Sequence, residues 1–172
     1  MVTKRDGSKE PISLDKITNR VSVLSTGLNI DPIVVVQKAV PGLYSDISSV
    51  EIDTYLAETA AALTVEHPDY SYLAARIKVN SLHKETPGFI IATKNLYDDG
   101  LLREEYFKKV MENADAIESI IDYDKDYTFD YFALTTLIRA YLLKFDNRTI
   151  ERPQDLWMLS LIHISEPTRL QQ

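Results

Sequence analysis

The sequence of 172 residues contains no cysteine. A chain without thiols cannot form disulfides, zinc ribbons or iron–sulfur clusters, and it cannot supply a cysteine nucleophile, redox pair or thiyl radical. The phosphate-binding motifs GxxxxGKS/T and GxGxxG are absent as well. Any nucleotide site in this chain must therefore be built without a P-loop or a Rossmann crossover.

Long apolar stretches are also missing. The longest apolar runs, such as residues 33–36, are four residues long, whereas a membrane helix needs about 20. The first ten residues, MVTKRDGSKE, contain no apolar segment typical of a secretion signal. The formal net charge of −7 argues against nucleic-acid binding through a broadly basic surface. We expect a soluble, cytoplasmic protein with neither a membrane nor a nucleic acid as partner.

A hairpin and four helices are predicted for the first 88 residues. Asp6-Gly7 suits a tight turn within residues 2–12. Ser13 and Asp31-Pro32 are typical starts of the first and second helices, and Pro41-Gly42 ends the second. The third helix begins with a capping box at residues 48–51, and the fourth begins at residue 69 and ends before Pro87-Gly88. This pattern predicts one compact, mainly helical unit.

The second segment is predicted to be helical too. Apolar residues recur at helical spacing from residue 102 to 117 and again from 131 to 141. The sequence LLKFDNRTIE then predicts a hairpin around Asp146-Asn147, and Pro153 is a candidate start for another helix.

Positive charge is concentrated at the start of the chain. Residues 1–20 hold five cations against three anions, and the cations are Lys4, Arg5, Lys9, Lys16 and Arg20. Lys16 falls in the first turn of a predicted helix, where the helix dipole disfavours a cation. A bound phosphate would remove this conflict. Two interpretations follow from the residues alone: the cations are solvated, or they form a cradle for a polyphosphate.

The acidic run DYDKDYTFDYF has the aspartate spacing of a calcium loop but not its other requirements. Tyr127 occupies the position that needs glycine, and Ala133 occupies that of the bidentate glutamate. We therefore predict a solvated acidic turn. The three histidines show no metal-ligand spacing, and His83 is interpreted as a residue at a helix end rather than a catalytic base. No metal site and no catalytic residue are predicted.

Several longer motifs resemble a known family. VTKRDG, HPDYSYLAAR and LHKET occur in this order and are followed by IIDYDKDYTFDYF, TLIRAYLLK and ERPQ. Over residues 2 to about 158, the sequence resembles the N-terminus of the large subunit of class I ribonucleoside-diphosphate reductase, in its eukaryotic-type form. The resemblance implies a mainly α fold: an ATP-cone, which is a four-helix bundle covered by a small sheet, followed by the beginning of the helical N-terminal region.

The resemblance also implies a domain division and a set of site residues. Residues 1–88 would be the ATP-cone, and residues 89–158 would start the helical region. Residues 159–172 are expected to be a non-native tail, because SLIHISEPTR looks like translated sequencing adapter. The nucleotide site would consist of Lys4, Arg5, Glu10, Pro11, Ile12, Ser13, Leu14, Asp15, Lys16, Ser49, Asp53 and Lys84. Asp53 is expected to hydrogen-bond the ligand rather than pack, so that Asp53→Asn would leave the fold intact.

The function implied is allosteric. ATP as activator or dATP as inhibitor, with Mg²⁺, would bind the cone and control deoxyribonucleotide synthesis. The parent enzyme would reduce ribonucleoside diphosphates together with a radical-bearing small subunit and other large subunits. This chain alone would be inactive, because it has no cysteine. The alternatives are a stand-alone nucleotide-sensing module and a helical interaction module without catalysis.

Overall fold

The computed structural model describes residues 1–145 and 147–165. These residues form mainly helices with two small sheets, which confirms the predicted fold class. The chain divides into two compact units. The first comprises Met1–Ser81 and Tyr127–Thr135, and the second comprises Leu82–Asp126 and the residues from Thr136 onward.

The first unit contains a three-stranded sheet and four main helices. The strands are β1 (Val2–Thr3), β2 (Lys9–Glu10) and β3 (Ile47–Ser48), and the helices are α1 (Leu14–Leu24), α2 (Pro32–Ala39), α3 (Ser49–Ala62) and α4 (Asp69–Glu85). Short 3₁₀ turns follow α2 at Val40–Gly42 and α3 at Leu63–Val65. Helix α4 continues into the second unit, which begins at Leu82.

Local capping interactions start these helices as predicted. The Ser13 hydroxyl accepts a hydrogen bond from the backbone N–H of Lys16, and the Asp31 carboxylate accepts one from that of Ile33. Ser48 and Glu51 form a complete capping box at α3. Each contact satisfies an N–H group that the helix itself leaves without a partner.

The sheet is more elaborate than the predicted hairpin. Strands β1 and β2 are antiparallel around Gly7, whose φ of +83° suits a residue without a side chain. Strand β3 pairs in parallel with β1, bringing Ile47 opposite Val2. This third strand was not predicted from local sequence. It places the first turn of α3 beside the hairpin.

One apolar core holds the first unit together. Fully buried side chains come from every main helix, including Val21 of α1, Val35 of α2, Leu56 of α3 and Leu73 of α4. Tyr131, from the later segment of this unit, packs against the same core, and its N–H donates to the Ser71 hydroxyl at 3.2 Å.

The second unit consists of further helices and one hairpin. Its main elements are α5 (Phe89–Asp98), α6 (Glu104–Glu112), α7 (Ala114–Ile120), β4 (Lys144–Phe145), β5 (Arg148–Thr149) and α9 (Pro153–Ser165). Helix α8 (Tyr131–Thr136) starts in the first unit and continues as a π-helical turn at Leu137–Tyr141. The paired strands β4 and β5 and the start of α9 at Pro153 confirm those predictions. Asp146 lies outside the described residues, and so do residues 166–172, which belong to the expected non-native tail.

A buried polar cluster forms part of this second unit. Asp126 is fully buried, and its carboxylate lies 2.7 Å from Nε2 of His83. The Tyr123 hydroxyl donates to Asp155 at 2.7 Å, and the Arg152 guanidinium stacks over the Tyr123 ring. Burial raises the pKa of Asp155 above its ordinary value. The prediction of a solvated acidic turn is therefore wrong at Asp126, because His83 provides a buried partner for its carboxylate.

None of the helices in the described part of the chain has the length and apolar character needed to cross a lipid bilayer.

Candidate nucleotide-binding site

A cleft of about 210 Å³ opens in the first unit where the hairpin meets the starts of α1 and α3. Its lining combines cationic, hydroxyl and apolar side chains. The lining residues are Val2, Glu10, Pro11, Ser13, Lys16, Ile17, Arg20, Ser49 and Ile52. Val2, Ile17 and Ile52 are buried in the core beneath it. The cleft therefore offers an apolar base and a charged rim to a ligand.

Helix α1 supplies two of the cations. Lys16 and Arg20 are four residues apart, so they lie one turn apart on the same face of the helix. The Lys16 side chain is 69% exposed, whereas that of Arg20 is 28% exposed. Helix α1 thus presents one exposed and one partly buried positive charge to the cleft.

Glu10 joins two lysines on the hairpin side of the cleft. Its Oε2 atom lies 2.7 Å from Nζ of Lys4 and 3.3 Å from Nζ of Lys16. The hydrogen bond from Lys4 lowers the pKa of Glu10 below its ordinary value, and Lys16 lowers it further. The contact with Glu10 also raises the pKa of Lys4. Lys4 and Glu10 are therefore charged at neutral pH, and the anion of Glu10 offsets the unfavourable position of Lys16 at a helix start.

Asp53 joins two arginines in a second, more buried cluster. The Arg5 guanidinium donates to Oδ2 of Asp53 at 3.2 Å and to the hydroxyl of Ser81 at 2.7 Å. Arg20 forms an ion pair with the other carboxylate oxygen, Oδ1. The Asp53 side chain is only 2% exposed. The expectation that Asp53 does not pack is therefore wrong: its carboxylate is enclosed in the fold and ion-paired with two guanidinium groups.

The structure brings most of the twelve predicted site residues together. Five line the cleft: Glu10, Pro11, Ser13, Lys16 and Ser49. Lys4 pairs with Glu10 and Asp53 pairs with Arg20, so both contact lining residues, whereas Arg5 is connected to the cleft through Asp53.

The other four predicted residues do not line the cleft. Ile12 is half-buried and packs against the core, and Leu14 and Asp15 are exposed in the first turn of α1. Lys84 is exposed in the last turn of α4, within the second unit. The participation of these residues in a site stays a prediction.

Arg20 is the main charged residue of the cleft that the predicted set omitted. Its distance of four residues from Lys16 was the available signal, because this spacing places both side chains on one helix face. Among the residues that the structure describes, no group of three or more His, Cys, Asp or Glu side chains could hold a metal ion.

Comparison with known proteins identifies the unit that carries this cleft. Residues 1–85 match the family model of the ATP cone domain. The chain contains an ATP-cone domain. It is 43% identical to the ribonucleoside-diphosphate reductase large subunit of Caenorhabditis elegans and to large chain 2 of the Saccharomyces cerevisiae enzyme, and 42% identical to the Danio rerio large subunit. Each match covers 91% of this chain.

These matches confirm the resemblance to eukaryotic-type reductase large subunits. The chain spans about a fifth of the length of these relatives, with 20–22% of each covered. All residues that line the cleft fall within the ATP-cone domain. The family therefore supports the binding of a nucleotide effector, and the cleft is the candidate site for it.

Proposed function

We propose that the cleft of the ATP-cone domain binds the triphosphate of ATP or dATP. The observation that supports this proposal is the arrangement of charge. Four cations, Lys4, Arg5, Lys16 and Arg20, lie in or beside one cleft and pair with the carboxylates of Glu10 and Asp53. Residues 1–20 hold five cations against three anions, in a chain whose overall charge is −7. An excess of positive charge at one place in an acidic chain favours a polyanionic ligand.

The arginines and the lysines would have different roles in binding phosphate. Arginine presents a planar set of donors that suits phosphate oxygens, whereas lysine acts as a flexible point charge. Arg5 and Arg20 are already oriented by Asp53, so we assign them to a fixed position of the ligand. Lys4 and Lys16 would follow the more exposed phosphates.

The remaining lining residues would hold the nucleoside. The apolar base of the cleft, formed by Val2, Ile17 and Ile52, suits one face of a purine. The Ser49 hydroxyl at the start of α3 and the Glu10 carboxylate offer hydrogen bonds to sugar or base groups. The volume of about 210 Å³ is smaller than the roughly 300 Å³ or more of typical ligand pockets. Part of the nucleotide would therefore extend out of the cleft, towards solvent.

Mg²⁺ would enter with the nucleotide rather than through a protein site. This ion keeps several waters and binds phosphate oxygens readily. The two carboxylates at the cleft are paired with lysines and arginines, so they are poor ligands for a further cation. The proposal therefore places any Mg²⁺ on the phosphates.

At the level of the whole protein, we propose that the chain is the allosteric part of a ribonucleoside-diphosphate reductase large subunit. ATP would activate and dATP would inhibit deoxyribonucleotide synthesis. The reduction of ribonucleoside diphosphates, and the association with a small subunit and other large subunits, are proposed for the full protein. The similarity to reductase large subunits over 91% of the chain favours this role over a stand-alone sensing or interaction module.

Calorimetric titration of the full chain with ATP and dATP tests the proposal. Lys16→Ala should weaken binding about tenfold or more, because a charge-assisted contact to phosphate is lost. Lys38→Ala is the matched control, since Lys38 is also exposed and also pairs with a glutamate, Glu66, at 2.8 Å. It should change affinity less than about twofold.

A folded wild-type chain that binds neither nucleotide would refute the proposed function. If Lys16→Ala and Lys38→Ala changed the nucleotide affinity equally, the nucleotide would bind outside the cleft.

A further inference from the structure

The two carboxylates of the cleft are held very differently. Each bridges two cations, but the Asp53 side chain is 2% exposed, whereas that of Glu10 is 31% exposed. Asp53 projects from helix α3 and meets two guanidinium groups, one of which is also fixed by Ser81. If Asp53 left this position, two partly buried arginines would face each other without its charge, so Asp53 is fixed beside the cleft.

The Glu10 carboxylate is held by exposed contacts. Its two partners, Lys4 and Lys16, have side chains that are 43% and 69% exposed. Exposed ion pairs are weak, since water and salt compete with each partner. Glu10 also lies at the end of the two-residue strand β2, on a side chain with several rotatable bonds. Its carboxylate can therefore leave the two lysines at little cost.

We propose that Glu10 is an internal counter-ion, which the phosphates of an incoming nucleotide displace from Lys4 and Lys16. The inference rests on the proposed function of the same cleft. A phosphate offers these lysines the same anionic oxygens that Glu10 offers them in the free chain. The phosphate and the carboxylate repel each other, so they do not share the two lysines. Glu10 thus holds the lysines ready for phosphate and lowers the affinity for it.

This arrangement explains the position of Lys16 in the first turn of α1. A cation there is unfavourable unless an anion lies close by. Glu10 provides that anion in the free chain, and phosphate would provide it in the complex. In both states an anion therefore lies beside Lys16 and offsets its unfavourable position at the start of the helix.

Inorganic tripolyphosphate is the probe that isolates this effect, because it carries the phosphate charges without a sugar or base. In calorimetry on the full chain at low ionic strength, Glu10→Gln should bind tripolyphosphate about three- to tenfold more tightly than wild type. The matched control is Asp46→Asn. Asp46 is an exposed carboxylate that pairs with Lys9 of the same strand β2 at 2.8 Å, and it does not line the cleft. The control should stay within about twofold of wild type.

The outcomes separate this inference from the proposed function. If wild type binds ATP but Glu10→Gln binds tripolyphosphate equally or less well, the counter-ion role is refuted and the nucleotide site stands. If wild type binds ATP and neither protein binds tripolyphosphate, the counter-ion role is refuted as well. If the folded wild-type chain binds neither ATP nor tripolyphosphate, the proposed function fails.

Equal gains in Glu10→Gln and Asp46→Asn would indicate a general charge effect and contradict the inference. Glu10→Ala repeats the test with the side-chain acceptor removed, and thermal unfolding verifies that each variant is folded.

Discussion

Replacing Asp53 by asparagine should destabilise the chain although the two side chains have almost the same shape. Asp53 Oδ2 accepts a hydrogen bond from Arg5 and its Oδ1 pairs with Arg20. Asparagine has one oxygen for these two guanidinium groups, and its amide N–H groups would face the other. Because asparagine is neutral, both arginines lose the negative charge of Asp53, and one of them also loses its hydrogen-bond acceptor in a partly buried place.

The expected loss is about 2 kcal/mol. Removing one partner of a fully buried ion pair costs about 3–5 kcal/mol. Here the arginine side chains keep 25% and 28% of their surface exposed, so water replaces part of the lost interaction. The remaining asparagine oxygen also retains one contact, and together these effects bring the loss to roughly half of the buried value. For a chain of this length, such a loss lowers the melting temperature by about 4–8 °C.

Thermal and urea unfolding followed by circular dichroism measure this loss. Asp46→Asn removes a carboxylate that is 57% exposed and pairs with Lys9, so its unfolding should match that of wild type. Residue 46 has a φ of 65°, which asparagine tolerates. If Asp53→Asn unfolds at the wild-type temperature, the arginine cluster does not stabilise the domain.

Three further predictions concern stability. Asp126→Ala should lower the free energy of unfolding by about 2–3 kcal/mol, because His83 loses a buried partner. Asp124→Ala is the control and should change the free energy of unfolding little, because Asp124 is exposed. Equal unfolding curves for these two variants would contradict the buried contact. Burial raises the pKa of Glu151 in the folded chain above its ordinary value of 4.5. The free energy of unfolding therefore falls as the pH rises from 4.5 through the raised pKa, because ionisation of this buried carboxyl is unfavourable. The stability of Glu151→Gln relative to wild type should therefore rise as the pH increases above about 4.5, and a difference that does not vary with pH would refute this assignment. Ser48→Ala should cost about 1 kcal/mol in urea unfolding through loss of the capping box, and an unchanged midpoint would show that the cap does not contribute.

The features that could be predicted from the sequence are those fixed by neighbouring residues. Ser13, the Asp31-Pro32 pair and the Ser48–Glu51 box act within a single helical turn, so their effect can be read from the sequence directly. Strand β3 could not be found in this way. Strand β3 is two residues long, which is too short to show the alternating apolar pattern of a strand. It forms because it pairs with β1, where Val2 lies opposite Ile47, 45 residues later in the sequence.

Buried charge was the other feature that local sequence did not predict. The run of aspartates around residue 126 resembles a solvated turn, and its burial depends on His83, 43 residues earlier. The burial of Asp53 likewise depends on Arg5, 48 residues earlier, as well as on Arg20. Five of the nine residues that line the cleft were among those that the family resemblance implied, whereas the pairing of the charged residues into two clusters required the structure.

The central claim is that an adenine nucleotide binds in the cleft between the hairpin and the starts of α1 and α3. It is tested most directly by titrating the ¹⁵N-labelled chain with ATP and following the backbone amide resonances. We expect saturable shifts at Lys16, Arg20 and Ser49, with one nucleotide bound per chain and little change at Lys38 on α2. The absence of shifts in the folded chain, or shifts confined to residues away from the cleft, would contradict it.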